Sequence, residues 1–267
     1  MSPITADNPV PWTVPAAKRI GLVDADGILY AAALDGQVVV DGEPLQLLDD
    51  EEIFKRCLER IEAQTDMLGD CPQVFICLSD RVNFRKSILP SYKGNRKGSA
   101  RPVRLDALRA MIVERDILFP VFLISGLEAD DVCGIMSTKF QEDGYEACIL
   151  SPDKDMLTIP GMSLTPKGEL SIITQERADR EHLYQALIGD TTDNYKGCPG
   201  IGPVKADRLL DAVEMFPGED VWDFIVSAFE DAGLTEEDAL VQARVARILR
   251  VSDWDFEKKE VILWTPQ

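Results

Sequence analysis

The feature that most limits what this chain can fold into is a short pattern that recurs along it: a run of apolar residues that stops at, or just before, an acid. Arg19-Ile-Gly-Leu-Val-Asp24 is the first, and Gln73-Val-Phe-Ile-Cys-Leu78 reaches Asp80 two residues later. Val121-Phe-Leu-Ile124 leads to Glu128, Asp130 and Asp131, and Ala147-Cys-Ile-Leu150 leads to Asp153 and Asp155. Unbroken runs of this length suit strands covered on both faces, as in a parallel sheet. Helical spacing separates them: Asp49 or Asp50 caps an amphipathic stretch running to about Met67, and Leu105–Arg115 and Glu128–Phe140 follow the same period. Asp41-Gly42 marks a hairpin turn inside 37–48. Strands alternating with helices predict an α/β fold with a mostly parallel sheet flanked by helices.

In such sheets the functional groups collect beyond the carboxyl ends of the strands, which is where these acids fall. A further pair, Asp190-Thr-Thr-Asp193, opens a Gly/Pro-rich loop at 197–203 that interrupts helical periodicity from Thr174 onward. Carboxylates gathered at one sheet edge repel each other unless cations sit among them. Hard divalent ions with oxygen ligands, Mg²⁺ or Mn²⁺, resolve that repulsion. Two such ions about 4 Å apart are suited to phosphodiester hydrolysis.

Charge is distributed to match. The net charge is −19, yet 81–104 holds eight basic residues and no acid, while 211–267 holds fourteen acids against five bases. A local basic segment on an acidic body points to contact with a polyanion. The six cysteines are scattered without a CxxC pair and read as buried free thiols. The single histidine, His182, lies in a charged helical stretch and reads as solvent-facing. No apolar run approaches a membrane span, and residues 1–18, with four prolines, read as a flexible leader without a signal peptide's apolar region.

Five motifs in order resemble the flap endonuclease and 5′-3′ exonuclease family, which includes the 5′-nuclease domain of bacterial DNA polymerase I and free-standing phage enzymes. They are LVDADGILY, FRKSILPSYKGNR, GLEADD, SPDKDML and GDTTDNYKGCPGIGPVKA, and the resemblance spans roughly 18–215. It implies a PIN-like nuclease core at 19–173 with a basic arch at 81–104, then a helix-turn-helix-type helical subdomain with acidic C-terminal helices at 174–267. It implies two Mg²⁺ or Mn²⁺ ions, the first on Asp24, Asp80, Glu128 and Asp130. The second falls to Asp130, Asp131, Asp153, Asp155 and Asp193, with Asp190 behind them. Lys93, Arg96 and Arg85 are the implied catalytic cations at the scissile phosphate. Lys86, Lys97 and Tyr92 would hold DNA along the arch, with Tyr92 either stacking on a base or packing at the arch base. Gly197, Gly200, Gly202 and Lys205 would grip the duplex, with a K⁺ ion at their loop. The sequence departs from the family at Val204, where a lysine is usual, at Pro152, and in a short Asp80–Glu128 spacing.

The implied reaction is hydrolysis at 5′-ends, flaps or nicks in DNA, giving 5′-phosphate and 3′-hydroxyl products, by a cytoplasmic monomer (in the host cytoplasm if phage-encoded). An RNA–DNA hybrid is a further substrate and a replication polymerase a further partner. Two alternatives stay open: a PIN-like ribonuclease, and a catalytically silent, structure-specific DNA-binding protein. A small-molecule phosphatase fits the basic segment less well.

Overall fold

The computed structural model describes residues 4–96, 101–214 and 220–266, with the side chains at 96, 213 and 214 outside that description. In chain order the elements are β1 (Arg19–Asp24), α1 (Asp26–Leu34), β2 (Gln37–Val40), β3 (Glu43–Gln46), α2 (Asp50–Thr65), β4 (Gln73–Leu78) and the single turn α3 (Arg85–Ile88). They continue with α4 (Leu105–Glu114), β5 (Val121–Leu123), α5 (Ala129–Glu142), β6 (Glu146–Leu150), β7 (Gly161–Leu164), β8 (Leu170–Ile173) and α6 (Gln175–Ile188). The chain ends with α7 (Pro203–Glu214), α8 (Val221–Asp231), α9 (Glu236–Ala246), β9 (Trp254–Asp255) and β10 (Glu260–Val261).

Six strands form one sheet in the order β5-β4-β1-β6-β7-β8. The first five are parallel and β8 returns antiparallel to β7, an edge hairpin that the sequence reading did not include. Because successive side chains point to opposite faces, β1 sends Val23 to one core and Ile20 and Leu22 to the other. The first core packs against α1, α2 and α4 through Ile28, Leu29, Ile53, Ile61, Leu108 and Ile112. The second packs against α5 through Val132 and Ile135. The parallel register sets Asp24 beside Cys77 and Val23 beside Leu150, so the acids after β1, β4 and β6 emerge at a common edge.

Two expected boundaries change. The leader is not loose where it is described: Ile4 donates its amide to the Gly168 carbonyl at 2.7 Å, Val10 to Met67 at 3.1 Å, and the Trp12 indole to Leu68 at 2.8 Å. Buried Ile4 and Val10 join the first core, so apolar packing and these backbone bonds hold the segment in place. Nor is 174–267 wholly helical. After α9 the chain returns to the sheet layer, where Ile248, Leu249 and Trp254 complete the second core before the short β9–β10 hairpin. His182 is likewise buried: its Nε2–H donates to the Ala243 carbonyl at 2.8 Å and its ring meets Trp264 edge-on. Burial, helped by Arg247, pushes its pKa down to about 3, so the ring is a neutral tie between α6 and α9.

The return segment fits α5 so closely that a Cβ at Gly134 would lie 2.2 Å from the Leu249 carbonyl oxygen. Alanine normally improves a helix interior. Here Gly134→Ala is expected to lower stability by about 1–3 kcal/mol, as overpacking does, read as a fall in chemical-denaturation midpoint. A stabilised variant would show that the return segment does not hold α5 as described.

Candidate active site

The acids assemble around the N-terminus of α5. Glu128 caps that helix, and its carboxylate meets the Tyr92 hydroxyl at 2.9 Å, Arg85 Nη1 at 3.3 Å and the Lys93 ammonium. Burial would raise its pKa, but Arg85 and Lys93 outweigh burial and hold it down at about 2. Asp24, at the end of β1, accepts from Ser151 Oγ at 2.8 Å. Burial pushes its pKa up to about 6 against that hydrogen bond, with Asp26 and Asp153 adding to the rise. Burial, then the charges of Asp24, Glu128 and Asp153, push Asp130 well above the carboxylate range. Asp155 accepts from Gln185 Nε2 at 3.0 Å; burial and Asp153, with Asp190 and Asp193 behind, push it up to about 7.

Loop geometry brings the last pair in. Asp190 Oδ1 takes the amides of Thr192 at 2.6 Å and Asp193 at 3.0 Å, a turn that presents Asp193 to the arch base. Asp193 Oδ2 lies 2.7 Å from the Tyr92 hydroxyl and 3.4 Å from Lys93 Nζ. Asn95 and Asn194 lace the two loops together through the carbonyls of Thr191 and Ser91, each at 2.7 Å. Burial first, and neighbouring carboxylates second, hold three carboxyls above their ordinary range, and oxygen-only donors suit a hard divalent cation. Among the described residues no three His, Cys, Asp or Glu side chains stand grouped as a finished ligand set. The donors fit such an ion in kind, and would have to draw together to ligate it.

The family model for the 5′-3′ exonuclease N-terminal, resolvase-like domain matches residues 22–184. The chain belongs to the 5′-3′ exonuclease family. It is 30% identical to the exodeoxyribonuclease of Enterobacteria phage T3, over 94% of this chain and 94% of that protein. Its identity to the exonuclease of Escherichia phage T7 is also 30%, over 93% and 94%. In fold it is similar to the bacteriophage T5 D15 protein co-crystallised with metal ions, with a TM-score of 0.59 and 18% identity over 85% of this chain and 89% of that one. The protein is therefore a nuclease, and no helix among its described residues is long and apolar enough to cross a membrane.

Several residues singled out from the family pattern do other work here. Arg85 is 2% exposed and every guanidinium donor is engaged: Nε with the Val245 carbonyl at 2.9 Å, Nη1 with Asp131 and Glu128, Nη2 with Asp131 and the Arg247 carbonyl. A phosphate has no donor left to meet there. Asp131 is fully buried, paired with Arg85 through two bonds of 2.7 Å, and also accepts the amides of Glu128 and Leu249 at 3.2 Å. It is a tie across the protein rather than an ion ligand. Tyr92, 3% exposed and bound to Glu128 and Asp193, packs at the arch base and has no free face for a base. Asp80 turns its oxygens to the Arg81 and Gly126 amides, both at 2.7 Å, and to Ser125, fixing the loop before α5 instead of joining the charged set.

In the helix-turn-helix loop, Gly197 is buried with φ +65°, and a Cβ there would lie 2.4 Å from the Gly189 amide nitrogen. Its glycine serves backbone packing, not phosphate approach. Gly200 and Gly202 are exposed at the start of α7, and Lys205 donates to the Gly200 carbonyl at 2.8 Å, so a K⁺ ion at that oxygen would meet a resident ammonium. Lys86 is exposed; Lys97 and the Arg96 side chain lie outside the described residues. Three contributors lay outside the sequence reading. Ser151 and Gln185 hold Asp24 and Asp155, and Asp26 pairs with Arg109 at 2.6 Å while accepting the Ser79 amide. Only Asp26, two residues past Asp24, had a signal in its spacing.

These assignments separate by stability. Asp131→Asn breaks a buried pair and is expected to cost about 3–5 kcal/mol. Asp24 and Asp155 are raised, so the folded state binds more protons than the unfolded one between about pH 4 and 7. Their contribution therefore falls as pH rises through that window. Asp24→Asn and Asp155→Asn should flatten the decline and, at pH 8, raise unfolding free energy by about 1–3 kcal/mol. Urea melts from pH 4 to 8 test this; destabilisation by Asp24→Asn matching that of Asp131→Asn would contradict the distinction.

Proposed function

We propose that the protein hydrolyses DNA phosphodiesters at 5′-ends or 5′-flaps with the help of two divalent cations, leaving a 5′-phosphate and a 3′-hydroxyl. The observation that carries this reading is the set of mutually repelling carboxylates at the strand ends, with Lys93 from the basic segment among them. Asp24, Glu128 and Asp130 are the candidates for one ion, and Asp130, Asp153, Asp155 and Asp193 for the other. Bound there, Mg²⁺ or Mn²⁺ would supply an activated water and stabilise charge on the leaving oxygen. Lys93 and Arg96 orient the scissile phosphate, and Lys86 draws the strand along the arch. The Gly200–Gly202 turn and the N-terminus of α7 favour a phosphate of the duplex, through free backbone approach and the helix dipole. Affinity on so acidic a body depends on the local basic segment and weakens steeply with salt.

No side chain is needed as nucleophile: His182 is neutral and buried, and all six cysteines are free thiols, five of them buried. Relatives support the substrate class, since the bacteriophage T5 D15 flap endonuclease was solved in complex with DNA and metal ions. That structure is 19% identical to this chain with a TM-score of 0.56.

The direct test is cleavage of 5′-labelled and 3′-labelled flap, nicked, blunt and RNA–DNA hybrid substrates with Mg²⁺, Mn²⁺ or EDTA. Short products from the 5′-end that vanish in EDTA are expected. Intact substrate with every metal, alongside retained junction binding, would leave a silent structure-specific binder, and cleavage confined to RNA a ribonuclease. Asp155→Asn keeps an oxygen for Gln185 and is expected to lose at least 100-fold in cleavage, on the order of one transition-state charge contact, while retaining most DNA affinity. Mg²⁺ should also raise the melting temperature more at pH 8 than at pH 5, because at the lower pH the raised carboxyls are protonated. An equal shift at both would argue that the ion binds elsewhere.

A further inference from the structure

Lys93 does not reach outward along the arch. Its backbone has φ +52°, a left-handed conformation that side-chain-bearing residues adopt only when neighbours hold them there. Two contacts do so: the Lys93 amide donates to the Asp193 carbonyl at 2.8 Å, and the side chain folds back over the Tyr92 ring, with Nζ 5.1 Å from its centroid. The ammonium then bonds Glu128 Oε1 and lies 3.4 Å from Asp193 Oδ2. Glu128 comes from the start of α5 and Asp193 from the loop after α6, so the lysine is the positive charge that lets two carboxylates from different parts of the fold approach each other. Its side chain is only 17% exposed there. An ammonium so placed makes its nearest contacts with two carboxylates instead of reaching out to a phosphate.

We propose that Lys93 is an internal stand-in for the divalent cations: it neutralises Glu128 and Asp193 in the metal-free protein, and leaves them for the DNA phosphate when the ion at Glu128 and the ion at Asp193 bind. The inference rests on the two-cation reading above and adds an order of events to it. Lys93 and the ions compete for the same oxygens, so ion binding and release of the lysine are one linked equilibrium. The nuclease thereby presents its phosphate-seeking lysine only when ions are in place. The Tyr92 hydroxyl, within reach of both carboxylates with one hydrogen to share between them, stays behind and keeps their spacing during the exchange.

Two readouts that do not depend on cleavage test this in the full chain. Calorimetric titration with Ca²⁺ is expected to show Lys93→Met binding about tenfold more tightly than wild type, the size of a typical coupling between linked sites. Lys93→Arg, which keeps the competitor's charge, should stay near wild type. In wild type, acetylation of Lys93 by a small reagent, followed by peptide mass spectrometry, should rise several-fold on saturation with Ca²⁺. Unchanged or weaker Ca²⁺ binding by a folded Lys93→Met, or Lys93 reactivity that ignores Ca²⁺, would overturn the exchange while leaving the two-cation reading intact. The reactivity arm uses the wild-type chain and so decides the matter even if the variant fails to fold. A wild-type protein that binds neither Ca²⁺ nor Mn²⁺ at millimolar concentration would remove both.

Discussion

The Arg85 guanidinium ties the arch base, the start of α5 and the end of α9 together at the site. It stands at the foot of the arch, pairs with Asp131 and Glu128 at the start of α5, and donates to carbonyls of Val245 and Arg247 at the end of α9. Burial opposes its charge, and Asp131 more than restores it, raising the pKa well above the usual range. Taking both charges out of water costs several kcal/mol, which pairing offsets only when every remaining donor and acceptor is satisfied. That condition holds here: the guanidinium's donors all find partners, and Asp131 also receives two backbone amides. The pair fixes the start of α5, and with it Glu128 and Asp130 on either side of Asp131.

With that frame rigid, the rest of the site can be electrostatically uncomfortable. Asp24, Asp130 and Asp155 are held at pKa values above their ordinary range by burial and by each other, a cost that a fold tolerates where its backbone is otherwise secured. Ser151 and Gln185 steady two of them with neutral hydrogen bonds, which position a carboxylate without cancelling its charge. Lys93 makes its ion pairs with Glu128 and Asp193, and its charge offsets the rise at Asp130 without cancelling it. The division between a neutralised frame and an unneutralised edge is what makes the edge receptive to cations.

Much of this was legible in the chain. The apolar runs that end at acids placed β1, β4, β5 and β6 and the sheet edge to which their acids belong, because strand length and burial are local properties. The cap at Asp49 and the Asp41-Gly42 turn are likewise short-range. The β7–β8 edge hairpin was not, since four-residue strands carry too few alternations to stand out. The leader misled because a proline-rich segment whose buried apolar side chains, among the described residues, are only Ile4 and Val10 looks the same in sequence whether it is free or packed on a core.

Within one motif, sequence and structure divide the labour. GLEADD determines that Glu128, Asp130 and Asp131 lie together at a helix start, where acids are favoured by the helix dipole. It does not determine that Asp131 faces inward to a buried arginine while Asp130 faces the other carboxylates. That follows from the position of residues 245–249, more than a hundred residues later, and from an arginine over forty residues earlier. The same holds for Tyr92 and Lys93, whose chemistry is plain in the sequence but whose partners, Glu128 and Asp193, meet only when the arch base packs against the loop after α6. The sequence by itself determined which charges gather at this sheet edge, because strand ends and helix starts are set locally. Tertiary structure alone decided which of them are spent on one another, because long-range packing sets the distances on which charge pairing depends.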